Sequence, residues 1–260
     1  MHMSTEAYVS VVQSGHILNI NWNRPEKKNA LTPDMYRVAA QVLNGAMADD
    51  SVRVVVLGGT RDCFTAGNDL ADFLSNPPIG DETPVAQFLR AIAIFDKPLV
   101  AAVSGVAVGV GTTMLLHCDL VVAADSSRFS LPFVKLGLCP EAASSYLLPL
   151  LGGHQRASEL LMLGEVFDAS MAKECGIVNR IAGIDEFQSV AQTLAEQLVA
   201  LPPASLRTTK AMLKQSHLQN IDARMRQEAD IFGAMLTQPE AIEAMTAFME
   251  RRPADFSRFG

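Results

Sequence analysis

Polar and apolar positions alternate in His16-Ile-Leu-Asn-Ile-Asn21. With Tyr8 to Gln13 across Ser14-Gly15, this segment predicts a β-hairpin. Thr32-Pro33-Asp34 is a helix start, with Thr32 as cap and Pro33 at the first position, and the helix extends to about Met47. Arg53-Val-Val-Val-Leu57 is a continuous apolar run ending at Gly58-Gly59, which predicts a strand buried on both faces. The alternation continues with a helix near Pro84 to Phe95, a strand at Leu99 to Val103, a helix from about Gly109 to His117 and a strand at Leu120 to Ala123. Short apolar strands separated by helices imply parallel pairing through right-handed crossovers. Beyond Ala142 the pattern turns helical, near 143–151, 154–163, 185–200, 204–217, 221–236 and 239–250. The fold class is therefore α/β, with a helical tail and a candidate boundary at Pro202-Pro203.

Composition narrows the function. The 260 residues carry 28 acidic and 21 basic side chains, a net charge of -7, which argues against a broad nucleic-acid or anionic-membrane surface. The four cysteines lie far apart without a CxxC pair, so neither a zinc site nor a disulfide framework is indicated. The uncharged run from Pro98 to Cys118 is long enough to span a bilayer. Its glycines, Ser104, Thr112, Thr113 and His117 instead fit a buried strand, a turn and a helix. The N-terminus lacks the basic and apolar regions of a secretory signal, and Ser257-Arg-Phe-Gly260 is no peroxisomal address, so the expected home is a bacterial-like cytoplasm.

Several chemistries lack their motifs. Gly109-Val-Gly111 has no third glycine of a dinucleotide fingerprint, and neither GxxxxGK[ST] nor GxSxG occurs. What remains is two glycine turns after two predicted strands, Phe64-Thr-Ala-Gly-Asn-Asp-Leu70 and Ser104-Gly105 to Gly111, followed by Glu141 in an apolar stretch. Turns at one sheet edge can aim two backbone N–H groups at a single oxygen, the geometry of an oxyanion hole. A carboxylate with few polar neighbours has its pKa pushed up, which suits it to take and return a proton. Glu141 also fits a plain helix start after Pro140, and each glycine fits a simple turn.

Four stretches then carry a resemblance: Trp22-Asn-Arg-Pro-Glu-Lys-Lys-Asn-Ala-Leu31, Phe64-Thr-Ala-Gly-Asn-Asp-Leu70, Lys97-Pro-Leu-Val-Ala-Ala-Val-Ser-Gly-Val-Ala-Val-Gly109 and Cys118-Asp119. Over nearly its whole length the chain resembles the crotonase, or enoyl-CoA hydratase/isomerase, superfamily. The resemblance implies a crotonase-like spiral of ββα units over 1–200 that holds an acyl-CoA site. It implies a C-terminal helical region over 201–260 that serves oligomerisation and covers the pocket. The partners it implies are an acyl-CoA thioester and further copies of the chain, as a homotrimer or hexamer. No separate cofactor is implied, since coenzyme A is part of the substrate.

Carried over by motif position, the oxyanion donors are the amides of Asn68 and Val110. Hydratases of the family carry two glutamates where this chain has Thr113 and Phe133. The stretch from Phe133 to Ser145 instead resembles the Δ3,Δ2-enoyl-CoA isomerase branch, whose single catalytic glutamate matches Glu141. The expected reaction moves a 3-enoyl double bond to the 2-position, as in β-oxidation of unsaturated chains. Hydration of 2-enoyl-CoA and non-catalytic acyl-CoA binding stand as alternatives. Ala66, Gly67, Asn68, Asp69, Leu70 and Gly109 are expected to line the substrate site. Phe133 reads equally as a water-excluding wall or as core. Arg24, Lys27 and Lys28 read equally as contacts for the CoA phosphates or as a surface charge run, and Asp69 as a brace of the first turn or a solvated acid.

Overall fold

The computed structural model describes residues 8–75, 80 and 82–259. The hairpin pairs β1 (Val9–Ser14) with β2 (Ile17–Trp22), and β2 leads a parallel run through β3 (Val54–Gly58), β4 (Leu99–Val103), β6 (Leu120–Ala124) and β9 (Arg180–Ala182). A second, three-stranded sheet joins β5 (Val106–Val108), β7 (Arg128–Ser130) and β8 (Phe167–Asp168). Two successive passes, β4 to β5 and β6 to β7, lay one strand in the large sheet and the next in the small one before a helix returns the chain. This is the spiral of ββα turns that the resemblance implies.

Both faces of the large sheet are covered, which explains its unbroken apolar strands. From β3, Val55 and Leu57 enter the main core with Trp22, Phe88 and Phe129, while Val54 and Val56 turn to the other face. That second face is closed by Phe187, Ala191, Leu194 and Ala195 of the helix Phe187–Val199. The first helix, α1 (Pro33–Ala48), is capped as expected, with Thr32 Oγ1 accepting from the Met35 amide at 3.4 Å. Asp119 ties the sheet to the tail: its Oδ2 accepts from the Leu99 amide at 2.7 Å and from Lys210 at 2.6 Å.

The structure corrects several element boundaries. Residues 204–217 and 221–236 form one helix, Pro203–Met235, because no glycine or proline interrupts Leu218-Gln-Asn220. Residues 143–163 form one kinked helix, Ser144–Ser158, with non-helical Gly153 inside, followed by a π-helical turn, Glu159–Leu163. Glu141 starts no helix, since the helix begins at Ser144. The predicted helix 109–117 is an α-turn, Val110–Thr113, followed by a 3-10 turn, Met114–His117. The small sheet, β9 and the short helices Leu70–Ser75 and Ala169–Glu174 were not expected, being too short to show a period.

Candidate active site

The first glycine turn is built on Asn29, a fully buried residue at φ 54°. Its side chain accepts from the Arg24 amide at 2.7 Å and donates to the Cys63 and Phe64 carbonyls at 2.7 and 3.1 Å. The turn is then zipped to the second one by Thr65, whose amide donates to Val106 O and whose carbonyl accepts from the Val108 amide, both at 3.0 Å. Gly67, at φ 88°, lies so close to this seam that a Cβ would stand 2.7 Å from Val108 O. Gly109, at φ 54° and ψ −116°, opens the short helix that starts at Val110. Only glycine adopts such backbone without strain.

The amides beside the expected donors are occupied. Gly67 N–H donates to Thr65 Oγ1 at 3.1 Å, Asp69 N–H to Leu31 O at 3.0 Å and Gly109 N–H to Ser130 O at 2.9 Å. Among the described residues, the amides of Asn68 and Val110 have no such partner. An unpaired backbone N–H is costly away from water, and these two stand on turns joined by the Thr65 seam, each free to donate to a bound group. Val110 also begins a helix, whose positive end favours developing negative charge. The side chain of Asn68 is engaged separately, its Oδ1 accepting from the Tyr36 hydroxyl at 2.5 Å.

Both turns line one cleft, of about 720 Å³, with Ala66, Gly67, Asn68, Asp69, Leu70, Gly109, Val110 and Phe133 in its wall. Asn68, Phe73 and Phe232 are shared with a smaller cavity of about 90 Å³, walled by Val85, Leu89, Met225 and Ala229, where Glu141 sits. Glu141 and the cleft are thus linked through the shared walls of Asn68, Phe73 and Phe232. Burial pushes its carboxyl up to about 7, against the hydroxyl of Thr113, which donates to Oε1 at 2.5 Å; the nearby charge of Glu228 pushes the same way as burial. The carboxylate rides on Ala142 and Ala143, both left-handed at φ 57° and 56°. Such backbone costs about 1–3 kcal/mol per non-glycine residue.

Other expected residues have different tasks. Arg24 pairs with Asp69 at 2.7 Å and donates to Ala30 O at 3.0 Å, bracing the first turn. Burial works against the charge on Asp69, yet Arg24 and the Ala71 and Asp72 amides hold its carboxyl below the usual range. Phe133 is 5% exposed, belongs to the main core and forms cleft wall beside Gly109, so core and wall are the same position. Lys27 reaches the cleft rim, whereas exposed Lys28 is absent from its wall. Sequence reasoning passed over Asn29, Tyr36 and Glu228. Each is a polar residue in a segment whose pattern already had a structural meaning.

The enoyl-CoA hydratase/isomerase family model matches residues 13–258. Enoyl-CoA delta isomerase 2 of Rattus norvegicus is 34% identical over 94% of this chain, and the chain spans 64% of that longer protein. The 2,3-dehydroadipyl-CoA hydratase of Escherichia coli is 31% identical over 95% of this chain and 97% of its own length. Among solved structures, Pseudomonas aeruginosa OdaA is 42% identical and covers 94% of this chain with 99% of its own, at a TM-score of 0.92. With fold, turns and family model in agreement over most of its length, the chain belongs to the enoyl-CoA hydratase/isomerase family.

Proposed function

We propose that the protein is a Δ3,Δ2-enoyl-CoA isomerase that uses Glu141 as its single acid/base. The observation that carries this reading is Glu141 itself, a carboxylate raised to about 7 in the cavity that shares Asn68 with the cleft. The other acids nearby are engaged: Asp69 is paired with Arg24, and exposed Asp222 with Arg226 at 2.9 Å.

In this reading the thioester oxygen rests on the Asn68 and Val110 amides. Glu141 takes a proton from C2, and the C–H electron pair delocalises onto that oxygen as an enolate. When the enolate collapses, the double bond moves from C3–C4 to C2–C3 and the same carboxyl returns its proton to C4. The bound oxygen gains charge only in the transition state and enolate, so the two amides accelerate the chemistry rather than merely tighten binding. Thr113 fixes the carboxylate by its hydroxyl, and Phe133 fills the cleft wall with ring. Neither position offers a second acid to activate water, and an apolar wall favours reprotonation over hydration.

Addition of the protein to a 3-enoyl-CoA should produce an absorbance rise from the conjugated 2-enoyl thioester, with chromatography resolving the products. Accumulation of 3-hydroxyacyl-CoA as the main product would replace this reading by hydration. Tight acyl-CoA binding with no conversion at any chain length would replace it by a binding role.

A further inference from the structure

We propose that Glu228, from the C-terminal helix Pro203–Met235, is a positioning residue for the reaction: it clamps the left-handed Ala142-Ala143 turn that carries Glu141 and so sets where the base stands. The proposal rests on the isomerase reading for its kinetic part, though not for its geometric part.

Glu228 is a buried acid, 5% exposed, on a helix whose other acids lie at the surface. Its carboxylate turns wholly toward the segment after Glu141. Oε2 accepts from the Ala143 amide at 2.6 Å, and Oε1 accepts from the Ser145 amide at 3.1 Å and from the Ser145 hydroxyl at 2.5 Å. A carboxylate thereby binds the Ser145 amide in the first turn of the helix Ser144–Ser158 and the Ala143 amide just before it, where a helix end attracts negative charge, while the Ser144 amide donates to Glu141 O at 3.0 Å. The opposite side of the same turn is held by His117, whose Nε2 bonds Ala142 O at 2.8 Å. Two consecutive non-glycine residues in the left-handed region persist only when their surroundings hold them there. Here the clamp comes from two elements distant in sequence, the long helix and the turn that ends at His117, which Lys214 also joins through His117 O at 3.2 Å. The chain therefore uses its C-terminal helix to aim a base that belongs to the core.

The clamp also places one buried carboxylate near another. The charge of Glu228 is one of the influences that raise Glu141. The remaining titratable and charged groups around the pair are few. Tyr36 faces Glu141 from α1, and Thr113 bonds it. Cys139 feels the charge of both acids, His117 bonds Ala142 O and takes a bond from Lys214 at its own carbonyl, and Arg224 approaches Ser145 Oγ at 3.5 Å. Arg90, Asp222 and Arg226 edge the cavity. In Glu228→Gln the amide nitrogen cannot accept from the Ala143 N–H, and the negative charge is gone. Ser145→Ala removes one donor and disturbs the clamp more gently.

The test uses the full chain with 13C-labelled glutamate carboxyls, the Glu141 signal being assigned by its loss in Glu141→Gln. Glu228→Gln is expected to move the Glu141 titration down by about one pH unit, as removal of a like charge does. It should lower kcat on 3-enoyl-CoA by about 10- to 100-fold while KM stays within about threefold, because a displaced base costs turnover more than binding. Ser145→Ala should shift both readouts the same way by less, and it carries the test if the glutamine variant does not fold. An unchanged Glu141 titration in both variants would overturn the proposal, even if kcat fell in step with thermal stability, since that would make Glu228 a fold support only. If the unaltered protein fails to isomerise 3-enoyl-CoA, the isomerase reading falls, while the carboxyl titration still decides the role of Glu228.

Discussion

At the scale of single residues, Glu141 stands where stability and chemistry conflict. Its folded pKa of about 7 lies above the ordinary 4.5, so the folded chain holds this proton more tightly than the unfolded one. The resulting stabilisation is complete below pH 4.5 and is lost as pH rises through 7. At about 1.4 kcal/mol per unit, keeping the carboxylate ionised costs roughly 3 kcal/mol above pH 7. Glu141→Gln should therefore be as stable as the unaltered chain near pH 4.5 and about 1–3 kcal/mol more stable at pH 8, read by urea unfolding across that range. Its turnover should fall by about 10²- to 10⁴-fold. Equal stability at both pH values would show that burial does not perturb this acid. Because the base must be ionised to act, kcat/KM of the unaltered protein should rise with pH through about 7 and then level off. Much at this scale was legible in the chain: an acid among apolar residues, two glycine turns ahead of it and no second acid at Thr113 or Phe133. The Tyr36 hydroxyl bond to Asn68 and the Glu228 clamp were not, because each depends on segments distant in sequence meeting in space.

At the scale of elements, the glycine turns show how backbone conformation becomes function. Gly15 and Gly67 both have positive φ, at 59° and 88°, but their surroundings differ. A Cβ at Gly15 meets nothing within 4 Å, so Gly15→Ala should cost about 1 kcal/mol of backbone strain and leave turnover unchanged. At Gly67 the Cβ would lie 2.7 Å from Val108 O and push apart the two turns that carry the unpaired amides. Gly67→Ala should then lower kcat by about 10²- to 10³-fold, the loss of one oxyanion donor, in addition to its effect on stability. Steady-state kinetics and denaturation on the pair separate strain from misplacement; equal kinetics for both would remove the seam from the mechanism. The same contrast explains which elements could be read. Apolar runs such as Val54 to Leu57 signal doubly covered strands, and Thr32-Pro33 signals a helix start. The small sheet escapes, because Val106–Val108, Arg128–Ser130 and Phe167–Asp168 are too short for any period and are selected by pairing across the fold.

At the scale of the whole molecule, the surface of the single chain carries several exposed apolar pairs and runs. Leu150, Leu151, Met162, Leu163 and Val166 are each about half to two-thirds exposed along the kinked helix and the turn after it. Met212 and Leu213 are 70% and 73% exposed on the long C-terminal helix, and Phe248 and Met249 are 61% and 55% exposed near the end of the chain. Isolated apolar side chains on a surface need no explanation, but runs of them on neighbouring stretches mark association surfaces. The long helix fits this account, since its 33 residues bury only Lys210, Ile221, Glu228 and Phe232 in the single chain. A helix that long gains most of its stability from packing, so further burial against another copy is expected. Sedimentation at micromolar concentration should give a mass of three or six times 28.0 kDa. Met212→Glu with Leu213→Glu, placed away from the cleft walls, should shift that mass downward if this face is buried between copies. A unit that sediments at 28.0 kDa before any substitution would overturn the assembly and leave the long helix its tasks within one chain, the clamp at Ala143 and Ser145 and the tie through Lys210 to Asp119. Subunit loss and clamp loss are separable, because Met212 and Leu213 lie four turns before Glu228 at about 3.6 residues per turn. The charged pair should therefore change mass without moving the titration of Glu141, whereas Glu228→Gln should do the reverse.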